Sequence, residues 1–186
     1  MDYKIDLRVV KTKKNLYQSL LLIMKDKPFE EIKVSDICEK ALVNRSTFYN
    51  HFEDKYELLY SLIQDLKESL TNDLNQNENL DDTKNYYMKM IELFLDHVDE
   101  NIKIYSAIIR NNKNSIVIDM ISDTIETDIK SKLTNTLITT IPSEFISKFY
   151  IGAIINVGLE YLRNPKKYSK KDVLKYLNEL LPDTIY

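Results

Sequence analysis

Glycine and proline are scarce in this chain, whose 186 residues include 2 Gly and 4 Pro. Average usage, roughly 7% and 5% of residues, would supply about 22 of the two together. Tight turns and hairpins depend on the special backbone angles of these residues, so few such turns can form. We therefore predict an all-α fold, and the spacing of the apolar residues predicts about nine helices.

Apolar residues recur with helical spacing along most of the chain. In the first segment, Leu16, Leu20 and Met24 lie four residues apart on one face, and Lys27-Pro28 ends the pattern. Residues 72–83 are polar and rich in Asn and Asp, which predicts a loop. The predicted helices span residues 8–26, 34–41, 45–51, 55–74, 82–100, 102–110, 116–140 and 142–163, and a last one starts near residue 169.

Capping residues support several of these helix starts. Asn44 and Asp54 precede the third and fourth helices, and Ser169 with Asp172 forms a capping pattern before the last one. Lys33, which precedes the second helix, is a poor cap because its side chain only donates hydrogen bonds.

The composition argues against several kinds of chemistry. Gly152 and Gly158 do not stand in a glycine-rich phosphate loop. The single cysteine, Cys38, rules out an intramolecular disulfide and is expected to be a packed thiol. His51 and His97 are too far apart in sequence for a metal-ligand pair. Since no nucleophile–base pair appears either, we predict a protein that is not an enzyme and uses no metal or cofactor.

Charge is distributed unevenly although the net charge is only −3. Residues 1–60 hold 11 basic and 10 acidic side chains, whereas residues 61–186 hold 15 and 19. The N-terminus lacks the apolar core of a signal peptide, and no run of 18 apolar residues occurs. We therefore expect a soluble, cytoplasmic protein.

The second and third predicted helices, joined by a short turn, form a helix-turn-helix pattern. The third helix, residues 45–51, contains hydroxyl, amide, imidazole and guanidinium groups and no acidic residue. Phe48 and Phe52 lie four residues apart and would anchor it, which leaves the polar side chains facing outward. A helix of this kind fits the major groove of DNA. The alternative is a polar face that is merely solvated.

The helix-turn-helix region of the sequence resembles a known protein family. The stretch from Ile32 to Leu59, and within it the run Thr-Phe-Tyr-x-His-Phe-x-x-Lys at residues 47–55, closely resembles the tetracycline-repressor (TetR) family of bacterial transcription regulators. The resemblance covers residues 8–66. Two later segments, around residues 94–105 and 150–162, are similar to a C-terminal domain of a Firmicutes branch of that family.

The resemblance implies an N-terminal three-helix DNA-binding domain, residues 1–66 with the helix-turn-helix at about 33–52, and a C-terminal helical bundle, residues 67–186, for dimerisation and effector binding. It implies a regulator that binds a near-palindromic operator in double-stranded DNA as a homodimer, commonly a repressor released by a small-molecule effector. The alternative within the family is an activator, or a regulator controlled by a protein partner without a small ligand.

Site residues transfer position by position. Arg45 and Ser46 match positions that face base edges, Asn50 lies on the groove side, and Lys55 matches a phosphate anchor. The resemblance implies this DNA-binding set: Ser35, Asn44, Arg45, Ser46, Thr47, Tyr49, Asn50, His51 and Lys55.

Two positions depart from the family pattern. Leu42 stands in the turn where many members have Gly, so a positive φ there would strain the backbone by about 1 kcal/mol. Lys33 stands where many members have a capping Thr. A basic cluster, Arg8, Lys11, Lys13 and Lys14, opens the first helix and would either follow the DNA backbone or form an exposed face.

The eighth predicted helix is apolar on all sides, because Asn156 is the only strongly polar residue between Phe149 and Leu159. Such a helix must be covered on more than one side. We expect a partner subunit to cover one of them, whereas a central helix of a monomeric bundle is the alternative. The expected interface residues are Ile151, Ile154, Ile155, Gly158, Leu162, Leu177 and Leu181.

An effector pocket is implied by the resemblance alone. The side chains placed around it are those of Tyr87, Met90, Phe94, His97, Tyr105, Met120 and Tyr150. The alternative is that these residues belong to an ordinary core.

Overall fold

This computed structural model describes residues 7–77, 83–112, 116–133, 141–164 and 166–180, and within these ranges it contains nine α-helices and no strand. A 3₁₀ turn, Phe29–Glu31, lies between the first two helices. The all-α prediction is confirmed. The helices are α1 (Leu7–Met24), α2 (Val34–Ala41), α3 (Arg45–Tyr49), α4 (Lys55–Asn77), α5 (Thr83–Glu100), α6 (Ile102–Asn111), α7 (Ile116–Leu133), α8 (Ser143–Arg163) and α9 (Lys170–Leu180).

Helix ends differ from the predictions by a few residues. Helix α1 stops earlier, because the Asp26 N–H donates to the Ile23 carbonyl at 3.0 Å and closes a turn before Pro28. Helix α3 ends at Tyr49, since the His51 N–H donates to the Phe48 carbonyl at 2.9 Å in a tighter turn. Helix α4 continues to Asn77, into the predicted loop. Residues 134–140, predicted as the end of a helix, lie outside the described residues.

Asp54 and Ser169 form the predicted cap bonds, whereas the side chain of Asn44 makes none. Asp54 Oδ1 accepts from the backbone N–H groups of Tyr56 and Glu57 at 2.8 and 2.9 Å, which caps α4. Ser169 and Asp172 bond each other's backbone N–H groups at the start of α9, as a capping box requires. The N-cap of α2 is Lys33, which makes no side-chain cap bond.

One apolar core joins the helix-turn-helix to the middle of the chain. This N-terminal core is built from α1, α2, α3, α4 and the 3₁₀ turn, and it includes Ile108 of α6 and Val117 of α7. Cys38 is buried in it, and burial raises the pKa of its thiol, as expected for a packed cysteine. The helix-turn-helix is therefore fixed to α6 and α7 by continuous apolar packing.

Two further clusters organise the C-terminal part. The middle cluster consists of Ile146, Tyr150 and Ile151 on α8 with partly buried neighbours. The C-terminal cluster joins α5, α6, α8 and α9, and its members include Leu95, Ile109, Leu162 and Leu177. Among the described helices, α8 is long and apolar enough to cross a membrane; a core helix of a soluble protein has the same properties, so this is weak evidence of a span.

Candidate nucleic-acid interface

Helix α3 is held in place by two buried phenylalanines. Phe48 is 0% exposed and Phe52 is 3% exposed, and their ring centroids lie 5.8 Å apart within the N-terminal core. One side of this short helix is thus committed to packing. The remaining side chains are directed away from the core.

The outer face of α3 carries most of the predicted DNA contacts. No acidic residue occurs between Lys40 and Phe52, so no carboxylate of this segment repels phosphate. Ser35, in the first turn of α2, is exposed as well. On and beside α3, the exposed members of the predicted set are Asn44, Arg45, Ser46, Tyr49 and Asn50, and the half-buried members are Thr47 and His51.

Asn44 and Arg45, at the start of α3, differ in whether another side chain of the protein interacts with them. The Tyr49 hydroxyl near the Arg45 guanidinium raises the pKa of Arg45 above its usual value. The Tyr49 ring in turn packs edge-on against Phe48, with centroids 5.4 Å apart. Asn44 occupies the N-cap position, but its side chain makes no cap bond. The Asn44 amide is therefore not committed to the helix end.

The turn before α3 contains a strained residue. Leu42 has φ 56° and ψ 42°, which is the left-handed region, and it alone among the described non-glycine residues has a positive φ. Its side chain is 94% exposed. Strain was predicted here if φ were positive. The positive φ confirms it, because Cβ crowds the carbonyl oxygen in this conformation.

Lys55 is placed differently from the predicted phosphate anchor. Its ammonium donates to the backbone carbonyls of Phe29, Glu30 and Ile32 at 2.9, 2.7 and 2.9 Å. An ammonium has three donors, so all of them are used within the chain. Burial lowers the pKa of Lys55 below its usual value. We therefore remove Lys55 from the expected phosphate contacts and assign it to the fold.

The surroundings of Lys55 point the same way. Asp54 caps the N-terminus of α4, and the Glu57 carboxylate accepts from the Glu53 N–H at 2.5 Å. The carboxylates of Asp54 and Glu57 therefore lie at a helix end whose positive dipole would otherwise favour a phosphate. This end of α4 is unsuited to an anion.

The basic cluster at the start of α1 is only partly packed. Lys13 is half-buried with its ammonium 5.6 Å from the centroid of Phe52, next to the end of α3. Arg8, Lys11 and Lys14 are exposed. Both interpretations of the cluster, a DNA backbone contact and an exposed face, remain predictions.

The predicted effector-pocket residues are distributed over three apolar clusters, two of which share Met88. Met120 packs against the N-terminal core, Met90 and Tyr150 belong to the middle cluster, and Phe94 and Tyr105 belong to the C-terminal cluster. The side chain of Tyr87 lies outside the described parts. A common pocket for these residues therefore stays a prediction.

His97 and Tyr105 are the one pair from the predicted pocket with a polar contact between described atoms. His97 Nε2 lies 2.7 Å from the Tyr105 hydroxyl. Burial lowers the pKa of His97 and raises the pKa of Tyr105 to about 12. The pair is therefore neutral near physiological pH. Within the described ranges, no group of three or more His, Cys, Asp or Glu side chains is placed to hold a metal ion.

The predicted dimer residues also require a correction. Ile151, Leu162 and Leu177 are buried in this chain's own clusters, so they cannot be the surface that meets a partner. Ile154, Ile155 and Gly158 are half-buried, and Leu181 lies outside the described residues. The sequence did not show which side of an entirely apolar helix faces its own domain.

Sequence reasoning missed three exposed aromatic residues, Phe145, Phe149 and Tyr176. Phe145 and Phe149 of α8 are 71% and 58% exposed, and on α9 Tyr176 and Leu180 are exposed too. Phe145 and Phe149 lie four residues apart, so they share a face of α8. We call Phe145, Phe149, Tyr176 and Leu180 the apolar surface.

A helix-turn-helix whose second helix exposes an acid-free polar face, joined to a larger helical body, defines a DNA-binding regulator. Two family models match the chain: one described as "Bacterial regulatory proteins, tetR family" matches residues 23–62, and one described as "Transcriptional regulator C-terminal region" (TetR_C_8) matches residues 87–183. The protein belongs to the TetR family of transcriptional regulators. This is a family of DNA-binding regulators and not of enzymes.

Two curated relatives match parts of the chain. The HTH-type transcriptional regulator YxbF of Bacillus subtilis (strain 168) is 40% identical over 64 residues, which are 34% of this chain and 17% of that protein. The HTH-type dhaKLM operon transcriptional activator DhaS of Lactococcus lactis subsp. lactis (strain IL1403) is 31% identical over 105 residues, 55% of this chain and 51% of DhaS. The chain thus spans about a sixth and about half of the length of these relatives.

Solved structures match almost the whole chain. A TetR transcriptional regulator from Streptococcus agalactiae 2603V has a TM-score of 0.65 and 26% identity, and the match covers 95% of this chain and 97% of that one. Lin0861 from Listeria innocua has a TM-score of 0.71, 21% identity and coverage of 96% and 93%, which supports the fold alone.

Proposed function

We propose that this protein is a homodimeric repressor that binds a near-palindromic operator until a small-molecule effector releases it. The observation that carries the DNA-binding part is the exposed, acid-free face of α3, held on the buried side chains of Phe48 and Phe52. A recognition helix contacts base edges with its N-terminal residues, and Arg45 and Ser46 occupy that end of α3.

The contacts divide by chemistry. The guanidinium of Arg45 suits the O6 and N7 atoms of guanine, and the Asn50 amide suits the adenine edge. The polar groups of Thr47, Tyr49 and His51 suit phosphate or sugar oxygens, which fix the position of the helix without reading sequence. Ser35 and Asn44, both exposed beside α3, complete the backbone contacts.

The apolar surface supports dimerisation. Exposed aromatic side chains on α8 are costly in water and are typical of protein interfaces. Among the described residues, a Cβ on Gly152 or Gly158 would meet no atom beyond its own helix backbone within 4 Å, so the packing described here does not require glycine at either position. Two copies joined through α8 and α9 would present two recognition helices to half-sites about 34 Å apart. We also place the protein in the cytoplasm, with the chromosome.

A second candidate function is transcriptional activation. The relative DhaS is described as an activator, and its similarity to this chain extends over 105 residues. An activator binds DNA through the same surface, so the face of α3 does not separate the two functions. In this candidate a protein partner takes the place of the small-molecule effector.

The DNA-binding proposal is tested by selecting duplexes from a random pool with the purified protein. We expect a near-palindromic consensus to emerge, because a two-fold dimer imposes its symmetry on the site. Recovery of no consensus would remove the proposal. In vitro transcription from a promoter carrying the selected site then gives the sign of regulation: fewer transcripts support the repressor, and more support the activator.

The dimer is tested with Phe149→Glu, measured by light scattering. A charge on the apolar surface should convert the dimer to a monomer, because it would lie desolvated against the partner. Lys40→Glu on α2 is the control, since Lys40 is exposed and α2 belongs to the N-terminal core, which contains no residue of α8. A Phe149→Glu protein that remains a dimer would place the interface elsewhere.

A further inference from the structure

The turn between α1 and α2 is held by side chains at the ends of two other helices, α6 and α4. We call residues 25–32 the α1–α2 turn. It leads directly into α2, the first helix of the helix-turn-helix, which begins at Val34. Whatever fixes the α1–α2 turn therefore also fixes where α2 starts.

The C-terminal end of α6 holds the turn from one side. Asn112, 2% exposed, follows the last residue of α6, and its side-chain Oδ1 accepts from the Phe29 N–H at 2.8 Å. Its Nδ2 donates to the Ile108 carbonyl at 2.8 Å, so both ends of the amide are bonded. The neighbouring Asn111 donates from Nδ2 to the Lys25 carbonyl at 2.5 Å.

The start of α4 holds the same turn from another side. The three donors of Lys55 are shared among the carbonyls of Phe29, Glu30 and Ile32, and the ammonium lies 4.9 Å from the centroid of the Phe29 ring. The Phe29 N–H is thus bonded to Asn112 at the end of α6, and the Phe29 carbonyl is bonded to Lys55 of α4.

These bonds differ from the apolar packing around them. Contacts such as those of Ile108 in the N-terminal core tolerate small shifts, because dispersion forces have no direction. Hydrogen bonds to a buried N–H require one geometry, and a buried donor left unpaired is strongly disfavoured. The position of the α6 end is therefore tied to the position of the α1–α2 turn.

We propose that Asn112 is a positioning residue for DNA binding: its side-chain amide fixes the α1–α2 turn and, through it, the placement of α2 and α3. The inference rests on the proposed DNA-binding function. In the arrangement seen here, the Asn112 amide fixes Phe29, Lys55 carries that placement to α4, and the recognition helix follows α2. Loss of the amide alters the presentation of α3 without removing any DNA contact.

The test compares operator affinity and stability in Asn112→Ala and Asn112→Asp. The probe is the duplex selected with the wild-type protein, and binding is followed by fluorescence anisotropy at a temperature where circular dichroism shows each variant folded. Asn112→Ala should bind about tenfold more weakly. Its salt dependence should not change, because no phosphate contact is lost.

Asn112→Asp separates positioning from stability. A carboxyl oxygen still accepts from the Phe29 N–H, but a buried carboxylate replaces the donor to the Ile108 carbonyl. We expect operator affinity to recover to within about threefold of wild type, although thermal stability stays low. If affinity instead follows stability in both variants, Asn112 has only a structural role and the inference is wrong.

Two further variants keep the test decisive. Asn164→Ala is the matched control: Asn164 is also the residue that follows its helix, α8, but its side chain is exposed and bonds only Glu160 of the same helix. It should bind the operator as wild type does. If Asn112→Ala does not fold, Asn111→Ala removes the bond to Lys25 and should weaken binding severalfold. Wild-type affinity in that variant would overturn the proposal, whereas failure to select any duplex would overturn the DNA-binding function itself.

Discussion

Helices α3 and α8 carry the two proposed binding surfaces, and they are built in opposite ways. Helix α3 has five residues and exposes polar groups, while Phe48 beneath it is 0% exposed. Helix α8 has 21 residues and leaves aromatic side chains in solvent. On α3 the polar residues serve binding and the apolar residues serve packing, so residue type alone separates the two roles. On α8 both roles fall to apolar residues, so the role of each residue is known only once its neighbours are known.

The largest expected effect comes from comparing one phenylalanine in each region. Phe48→Ala should lower the free energy of unfolding by about 3–5 kcal/mol, because it leaves a cavity in the N-terminal core. The loss should not depend on protein concentration. Phe149→Ala should cost little in the isolated subunit, but it should weaken the dependence of the unfolding midpoint on concentration. Urea titrations at two concentrations measure both. Equal losses in the two variants would erase the contrast between α3 and α8.

The same contrast explains which buried residues could be predicted from the sequence. The stripe of Leu16, Leu20 and Met24 and the anchors Phe48 and Phe52 were predicted from helical spacing and are buried. These patterns work because each element has a single apolar side. On α8 the spacing left every side open, so Ile151 and Leu162 were assigned to a partner although they pack within the subunit.

Lys55 shows a second limit. Its place in the sequence motif implies a phosphate contact, but the fold brings the carbonyls of the α1–α2 turn to its ammonium from 23 to 26 residues away. No local pattern contains that information. Asn112 was missed for the same reason, because its partner Phe29 is 83 residues away in sequence.

A second comparison concerns the two surfaces' effect on DNA. Arg45→Ala should bind the selected operator about 10- to 100-fold more weakly and relax the preference at one base pair, as expected for loss of a bidentate contact. Lys148→Ala removes an exposed charge from α8 and should leave both properties unchanged. Anisotropy with single-base-pair variants of the operator measures both. An unchanged preference in Arg45→Ala would assign base reading to another side chain.

Backbone conformation gives a smaller pair of effects. Leu42→Gly should raise the free energy of unfolding by about 0.5–1 kcal/mol, since glycine adopts the left-handed region without strain. Gly158→Ala should likewise stabilise the isolated subunit by up to about 1 kcal/mol through helix propensity. If α8 packs closely on a partner, however, the added methyl group should weaken the dimer. Denaturation combined with light scattering tests both, and a destabilised Leu42→Gly would mean that the Leu42 side chain has a role in the turn.

The smallest expected effect concerns two carboxylates at helix starts. Asp36 on α2 accepts from the Lys27 ammonium at 2.6 Å and from the Lys33 N–H at 3.2 Å, and these bonds hold its pKa below the usual value. Because the folded-state pKa is depressed, the stabilisation is present above the ordinary pKa of about 3.9 and is lost as the pH falls through the folded value.

Asp36→Asn should therefore cost at most about 1 kcal/mol near neutral pH, since the pair is partly exposed to solvent. The difference from wild type should shrink on acidification, and salt should reduce it at neutral pH because Lys27 is charged. Asp172→Asn on α9 is the comparison. The Asp172 carboxylate accepts a hydrogen bond from the neutral Ser169 hydroxyl, which lowers the pKa of Asp172. Acid should therefore reduce the stability difference at Asp172 as it does at Asp36, whereas salt should change it much less. Urea titrations across pH and salt distinguish the two. A difference at Asp36 that persists in acid would mean that the amide fails for a steric reason and that the ion pair to Lys27 contributes nothing.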